Sequence, residues 1–457
     1  MNKRKDGRKM KNQITRLLFL STLVLTLLFS ASVLAENSEI SIPEFEYHHF
    51  KLDNGLEVYV FEDERIPLVE LSIFYKVGSI DEPKGLSGIS HFLEHTMFLG
   101  TESLPKGQIE ELIKGVGGQY NAMTSYDFTY YYSQVPSSML ELVMAIEADR
   151  MANLKIDPED IEREREVIRQ ERRSAVENNV VSLGLERIQA KAFPASTLNH
   201  QVIGWAEDIN HISAADLERY YNTYYIPNNA VMVVAGDVEI LEVKALTEKY
   251  FAGYQRREIE RPEFVVERQE AEIVEEMPLP TNVPITLMLY KIPVGDHPDI
   301  MALDIFLNIL VSNESSRLKQ KLQNEEQLIL ETGAFLSTLR VPGYALVYYV
   351  PNNVGLLEQA QEAFDREVAR IINEGIEPKE FQAVKKAVEK NMIFMQRNTE
   401  TMAANIGLSK LRYDHPDLYK EQLIYLNELT EEDIVELAGK YFVEEKRAVG
   451  NIVPVKN

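Results

Sequence analysis

The feature that most constrains the fold is a partial internal repeat. The segment TYYYSQVPSSMLELVMAIEADRM (129–151) resembles ALVYYVPNNVGLLEQAQEAFDREV (345–368). Each predicts a tyrosine-bearing strand, a break at proline and then an amphipathic helix. A second pair, SAADLERYYNTYY (213–225) and TEEDIVELAGKYF (430–442), follows in the same order. Two ordered matches favour duplicated α+β units; chance similarity between amphipathic helices is the alternative.

The stretch between the two repeated parts has a different character. Residues 255–282 are charged, contain three prolines and show little periodicity. Such composition indicates a linker. We therefore expect an N-terminal domain over residues 36–254 and a C-terminal domain over residues 283–457, which suits a chain of 457 residues.

The first 35 residues have the pattern of an export signal. Residues 1–16 are basic, and residues 17–35 are apolar and end in small residues. This predicts a signal peptide over residues 1–35, cleaved after Ala35, and a periplasmic or secreted protein. If the segment is retained, residues 17–35 could just span a bilayer and anchor the protein to a membrane.

Charge and cysteine content exclude several classes of function. The net charge is −24, although the leader is basic. A body this acidic argues against non-specific nucleic-acid binding. The chain has no cysteine, which excludes disulfides, thiolate metal sites, cysteine nucleophiles and lipidated cysteine. A metal site would have to use histidine, aspartate or glutamate.

The strongest local signal is the pentapeptide HFLEH at residues 91–95. On a helix, His91 and His95 share one face and can bind one metal ion, for which neutral imidazole is a preferred zinc ligand. Glu94 lies beside that face, where a carboxylate can accept a proton from water. The alternative is a pair of ordinary surface or core histidines.

A second group of candidates lies on a highly charged helix predicted to follow Asp157-Pro158. Glu164 and Glu171 are two turns apart and share a face, with Val167 and Ile168 between them on the same side. A helix face that mixes apolar residues with carboxylates indicates that these carboxylates are partly buried. The alternative is a solvated helix with Glu–Arg pairs. In either case we expect Arg172 to be an ordinary, solvated charge on the helix surface.

Five segments together resemble the successive motifs of a known family, the inverted-zinc-motif metallopeptidases, also called the pitrilysin family, inverzincins or insulinase-type peptidases. The resemblance covers nearly the whole chain after the leader. It implies an α+β fold of two related domains, each a mainly antiparallel sheet covered by helices, forming half of a clamshell peptidase. The matching segments are VGSIDEP (77–83), GISHFLEHTMFLGT (88–101), GGQYNAMTSYDFTYYYSQV (117–135), EREREVIRQERR (162–173) and PNNAVMVVAGDV (227–238).

The resemblance implies a zinc-dependent endopeptidase and a role for each candidate residue. His91, His95 and Glu171 would bind one Zn²⁺ per chain. Glu94 would act as general base. Glu164 would be the carboxylate that supports a ligand histidine, a role with a general physical basis.

The resemblance also implies how substrate and partner bind. Asn121 and Ala122 match the edge strand with which the family pairs an extended peptide. In LQNEEQLIL (322–330), Gln323 and Leu330 stand where the family has an arginine and a tyrosine that grip the peptide. We therefore expect a heterodimer in which a zinc-less homologous subunit supplies the Arg/Tyr clamp, and otherwise a homodimer. The alternatives are a non-catalytic scaffold subunit and a periplasmic zinc-binding protein.

Overall fold

The computed structural model describes residues 46–395 and 397–455. The predicted signal peptide over residues 1–35, including the possible anchor, lies outside these residues. Among the helices of the described ranges, none has the length and hydrophobicity needed to cross a membrane.

The first half of the described chain forms a six-stranded sheet in the order β1-β2-β6-β3-β5-β4. All neighbouring strands are antiparallel except β2 and β6, which are parallel. Strand β4 is therefore at one edge of the sheet. The strands are β1 (His48–Lys51), β2 (Glu57–Glu62), β3 (Leu68–Tyr75), β4 (Gln119–Thr124), β5 (Thr129–Pro136) and β6 (Ala230–Gly236).

The second half forms a five-stranded sheet in the order β7-β11-β8-β10-β9. This order repeats that of β2-β6-β3-β5-β4, and the single parallel pair, β7 with β11, is in the same place. The predicted α+β fold of two related, mainly antiparallel sheets is confirmed. The strands are β7 (Ile273–Leu279), β8 (Ile285–Ile292), β9 (Ile329–Ser337), β10 (Gly343–Pro351) and β11 (Arg447–Pro454).

Helices cover both sheets. In the first half they are α1 (Ile89–Thr96), α2 (Gln108–Gly115), α3 (Leu140–Ala152), α4 (Pro158–Arg172), α5 (Val180–Ala192), α6 (Ala206–His211), α7 (Ala214–Tyr224) and α8 (Ile240–Phe251). In the second half they are α9 (Asp299–Leu307), α10 (Leu357–Glu374), α11 (Pro378–Met395), α12 (Thr399–Tyr413), α13 (Leu418–Glu428) and α14 (Glu431–Tyr441).

The repeat seen in the sequence is also a repeat of local structure. Strands β5 and β10 both end in proline and lead through one 3₁₀ turn into α3 and α10. Helices α7 and α14 both begin with a capping box, formed by Ser213 with Asp216 and by Thr430 with Asp433. The same side-chain chemistry thus starts the same helix in each half.

Each half also covers the sheet of the other half with one helix. Helix α5 packs on β11 and β8, and α12 packs on β6 and β3. A Cβ atom added at Gly184 of α5 would lie 2.4 Å from Cδ1 of Ile452, and one at Gly407 of α12 would lie 2.5 Å from Cγ2 of Val233. Equivalent glycines therefore permit equivalent close contacts, and the two halves share their cores.

The predicted linker over residues 255–282 is wrong in its last part, because Ile273–Leu279 is strand β7 of the second sheet. The error has a physical cause. Strand β7 is an edge strand paired in parallel with β11, and an edge strand tolerates Pro278 and exposed acidic residues that obscure the strand pattern. The domain boundaries at residues 254 and 283 remain predictions.

Candidate metal centre

The helix that carries HFLEH starts at a closely packed turn. Gly88, its N-cap, has a φ of 86°, and a Cβ atom there would lie 2.3 Å from the carbonyl oxygen of Ile203. Only glycine fits this conformation without strain. Phe92 and Leu93 are fully buried and fix the opposite face of α1.

A buried carboxylate caps the same helix. The two carboxylate oxygens of Glu82 accept hydrogen bonds from the backbone N–H groups of Gly88, at 2.7 Å, and Ser90, at 2.9 Å. Glu82 is 2% exposed, and its burial raises its pKa to about 8. The sequence analysis missed this residue, because a glutamate six residues before the N-cap is outside the usual capping pattern, in which Ser, Thr, Asp or Asn occupies the N-cap itself.

The two histidines of α1 face the same side, with ring centroids 4.7 Å apart. Glu171 of α4 lies opposite them. Its Oε1 is 3.7 Å from Nε2 of His91, and its Oε2 is 3.4 Å from Nε2 of His95. One ligand atom from each residue can be chosen so that all three lie within 4.8 Å of one another. The structure therefore brings the three predicted ligands together.

These distances suit a small cation. Bonds of about 2.0–2.1 Å in a tetrahedral zinc site place neighbouring ligand atoms about 3.3 Å apart. In addition, burial together with the nearby His95 lowers the pKa of His91, which favours its neutral form. A neutral imidazole is the form that binds a metal. The residues present therefore fit a zinc ion.

Glu164 orients one of the histidines. Nδ1 of His95 donates a hydrogen bond to Oε1 of Glu164, at 2.8 Å, which leaves Nε2 directed at Glu171. Burial disfavours the charged imidazole, but the hydrogen bonds to Glu164 and Glu171 prevail and raise the pKa of His95 to about 9. A metal ion bound at Nε2 would displace the proton that this nitrogen carries. The predicted supporting carboxylate is thus in contact with the predicted ligand.

The charged helix α4 is only partly as predicted. Ile168 is fully buried, but Val167 is 51% exposed and does not share its face. Arg172, predicted to be an exposed surface charge, is 5% exposed and pairs with Glu186. The spacing of Ile161, Arg165, Ile168 and Arg172, all of which are buried, could have revealed this face.

Glu94 lies beside the three predicted ligands and contacts the edge strand β4. Its carboxylate accepts a hydrogen bond from Oγ1 of Thr124, on β4, and burial raises its pKa. Sequence reasoning missed Thr124. The alternation of a strand places it on the same face as Ala122, two residues earlier.

The predicted peptide-pairing residues lie on the edge strand β4. Asn121 is exposed and Ala122 is half-buried, and β4 pairs with β5 alone among the described strands. Neighbouring residues on a strand direct their backbone groups to opposite sides. One of these two residues therefore presents its N–H and C=O groups to the free edge.

The residues that depart from the family pattern lie in the second half. Gln323 is half-buried in a π-helical turn, Lys319–Glu325, and Leu330 is 49% exposed on β9. Neither side chain carries a positive charge, and leucine has no hydrogen-bonding group.

The chain thus has an α+β fold built on two equivalent sheets, in which the helix pair α1 and α4 brings His91, His95 and Glu171 together. Two family descriptions match the chain: "Insulinase (Peptidase family M16)" over residues 58–205 and "Peptidase M16 inactive domain" over residues 211–388. The chain belongs to the insulinase family, peptidase family M16.

Individual relatives agree with this assignment. The zinc protease PqqE of Helicobacter pylori is 27% identical over 438 residues, which cover 94% of this chain and 96% of that protein. The beta subunit of the mitochondrial-processing peptidase of Blastocladiella emersonii is 26% identical over 89% of this chain and 88% of its own length. A solved protease structure from Helicobacter pylori has a TM-score of 0.84 and 25% identity, and the alignment covers 90% of this chain and 99% of that one.

Proposed function

We propose that the chain is a zinc-dependent endopeptidase that hydrolyses peptides or unfolded segments outside the cytoplasm. One observation carries this proposal. Two imidazoles and a carboxylate, from His91, His95 and Glu171, converge so that their ligand atoms lie within 4.8 Å of one another, and the half-buried carboxylate of Glu94 lies beside them.

The three converging side chains would hold the ion, while Glu164 would keep His95 in the tautomer that offers Nε2. A bound zinc ion supplies Lewis acidity and makes a water molecule easier to deprotonate. The carboxylate of Glu94 would accept the proton of the attacking water and pass it to the leaving amine. Burial shifts the pKa of Glu94 upward, and this direction favours both steps, because a base that later acts as an acid needs a pKa closer to the operating pH than that of an ordinary carboxylate.

The edge strand would bind the substrate. An extended peptide can add a strand to β4, using the backbone of Asn121 or Ala122, in the mode called β-augmentation. Thr124 belongs to the same strand and contacts Glu94. This connection would place a peptide paired with β4 beside the proton acceptor.

The partner would be a homologous subunit. Gln323 and Leu330 cannot provide a cationic and phenolic clamp, so we propose a heterodimer with a zinc-less homologue that supplies an arginine and a tyrosine. The relative in Blastocladiella emersonii is itself a subunit by name. A homodimer is the alternative arrangement.

The proposed compartment rests on the predicted signal peptide. Residues 1–35 carry the signal-peptide pattern, which supports a periplasmic or secreted enzyme. Membrane attachment would require retention of residues 17–35.

A non-catalytic scaffold subunit is the second candidate, favoured by Gln323 and Leu330. Glu94→Gln distinguishes the two. The enzyme proposal expects the variant to retain zinc, measured by elemental analysis, and to lose hydrolysis of a peptide library, assayed with and without a co-expressed homologue. Zinc binding without hydrolysis by the wild-type chain in either condition would favour the scaffold. Full activity in the variant would remove Glu94 from the proposed role, and absence of zinc from the wild type would contradict the site.

A further inference from the structure

We infer that Arg172 is a positioning residue that holds the helix of Glu171 against the helix of His91 and His95. The inference rests on the proposed function, because it concerns the same three ligands. It assigns a role in metal binding to a side chain that does not contact the metal cluster.

Arg172 is the last residue of α4 and directly follows Glu171. Its guanidinium group makes a bidentate pair with Glu186 of α5, with Nη1–Oε1 and Nη2–Oε2 distances of 2.8 and 2.9 Å. Glu186 is 2% exposed and Arg172 is 5% exposed. Glu177 lies 3.4 Å from Nε. The pair is therefore enclosed, and the buried carboxylate of Glu186 is neutralised by Arg172.

The guanidinium group also contacts the segment that packs against the start of α1. Nη1 of Arg172 donates to the carbonyl oxygen of Gly204 at 2.6 Å. Gly204 has a φ of 80°, and a Cβ atom there would lie 2.3 Å from the carbonyl carbon and oxygen of Ser87. The next residue, Trp205, donates its backbone N–H to Oγ of Ser87 at 2.9 Å. The carbonyl group that accepts this hydrogen bond from Arg172 thus belongs to a backbone segment that packs against Ser87, the residue before the N-cap of α1.

The path from one ligand to the others is short. Arg172 adjoins Glu171 in sequence, and Gly88, which begins α1 next to Ser87, precedes His91 by three residues. A single guanidinium group therefore joins α4 to α5 and to the Gly204 segment, which packs against Ser87 just before the N-cap of α1. Without it, the Gly204 segment loses its hydrogen bond to α4, and the separation of Glu171 from the histidines is less well defined.

The test compares Arg172→Met with Arg447→Met in the full chain. Arg447 is equally buried and pairs with Glu272 and Asp365 in the second half, so its substitution controls for the loss of a buried guanidinium group without affecting α1 or α4. Zinc affinity is measured by competition with a chromogenic chelator at equal folded fraction. We expect Arg172→Met to weaken zinc binding about 10- to 100-fold, as other changes behind a ligand do, and Arg447→Met to leave it unchanged.

A double variant separates positioning from charge balance. Arg172→Met with Glu186→Leu replaces the buried pair by apolar side chains, which restores stability but not the bond to Gly204. Recovered stability with zinc binding still weak supports the inference. Zinc binding that recovers together with stability, or that is equal in Arg172→Met and Arg447→Met, overturns it. A wild-type chain that binds no zinc overturns the proposed function itself, and this is known before any variant is compared.

Discussion

The hydroxyl group of Thr124 donates a hydrogen bond to the carboxylate of Glu94, and so connects the free edge of a sheet to the helix of the metal centre. Thr124 ends β4, the strand proposed to pair with a peptide. The contact orients the proposed base from the substrate side, whereas Glu164 orients His95 from the opposite helix.

Thr124→Val keeps the shape of the side chain and removes the donor. A hydrogen bond to a charged group contributes about 1.5–3 kcal/mol, so we expect kcat on a fluorogenic peptide to fall at least about tenfold with zinc content unchanged. Thr332→Val is the matched control, because Thr332 lies on the equivalent edge strand β9 and donates to a backbone carbonyl. Equal kcat values for the two variants would contradict the role of Thr124.

Glu164→Ala removes the acceptor of the His95 Nδ1–H group. We expect zinc affinity to fall about 10- to 100-fold, with a smaller loss for Glu164→Gln, which keeps an acceptor oxygen. Glu166→Ala is the control, since Glu166 lies on the exposed face of the same helix and, among the described residues, forms an ion pair with Arg169 alone. The zinc affinity of all three variants is measured by competition with a chelator. A Glu164→Ala variant that binds zinc as tightly as the control would be inconsistent with the geometry.

Proline substitutions on β4 test the mode of peptide binding. Asn121→Pro and Ala122→Pro each delete one backbone donor, and only one of the two donors faces the free edge. We expect one variant to raise KM with little loss of stability and the other to weaken the pairing with β5 and lower the melting temperature. Two variants with unchanged KM would exclude strand addition at this edge.

Glu82 makes stability depend on pH. Its pKa is raised from 4.5 to about 8 in the folded protein, so the folded state holds a proton that the unfolded chain has released between these values. The free energy of unfolding should therefore fall as pH rises from about 4.5 to 8, by up to roughly 1.4 kcal/mol per pH unit. The comparison is wild type against Glu82→Gln in urea titrations at several pH values. The stability difference should change across this range, and a constant difference would contradict the raised pKa.

Much of this organisation could be predicted from local patterns. The repeat around residues 129–151 and 345–368 predicted two related halves, because strand and helix periodicities survive in sequence when the elements do. The i, i+4 spacing of His91 and His95 predicted a shared helix face for the same reason. Strand β7 was mistaken for linker, because prolines and acids on an exposed edge carry no strand pattern.

The sequence by itself determined which residues share a face, and therefore the histidine pair, the carboxylates on α4 and the equivalence of the two sheets. Only the tertiary structure decided which residues of other elements these faces contact. It decided that Arg172 is buried against Glu186 and Gly204, that Glu82 caps α1 and that Thr124 reaches Glu94. These contacts join residues far apart in the chain, whose separation in space is set by packing between elements and not by the period of any one element.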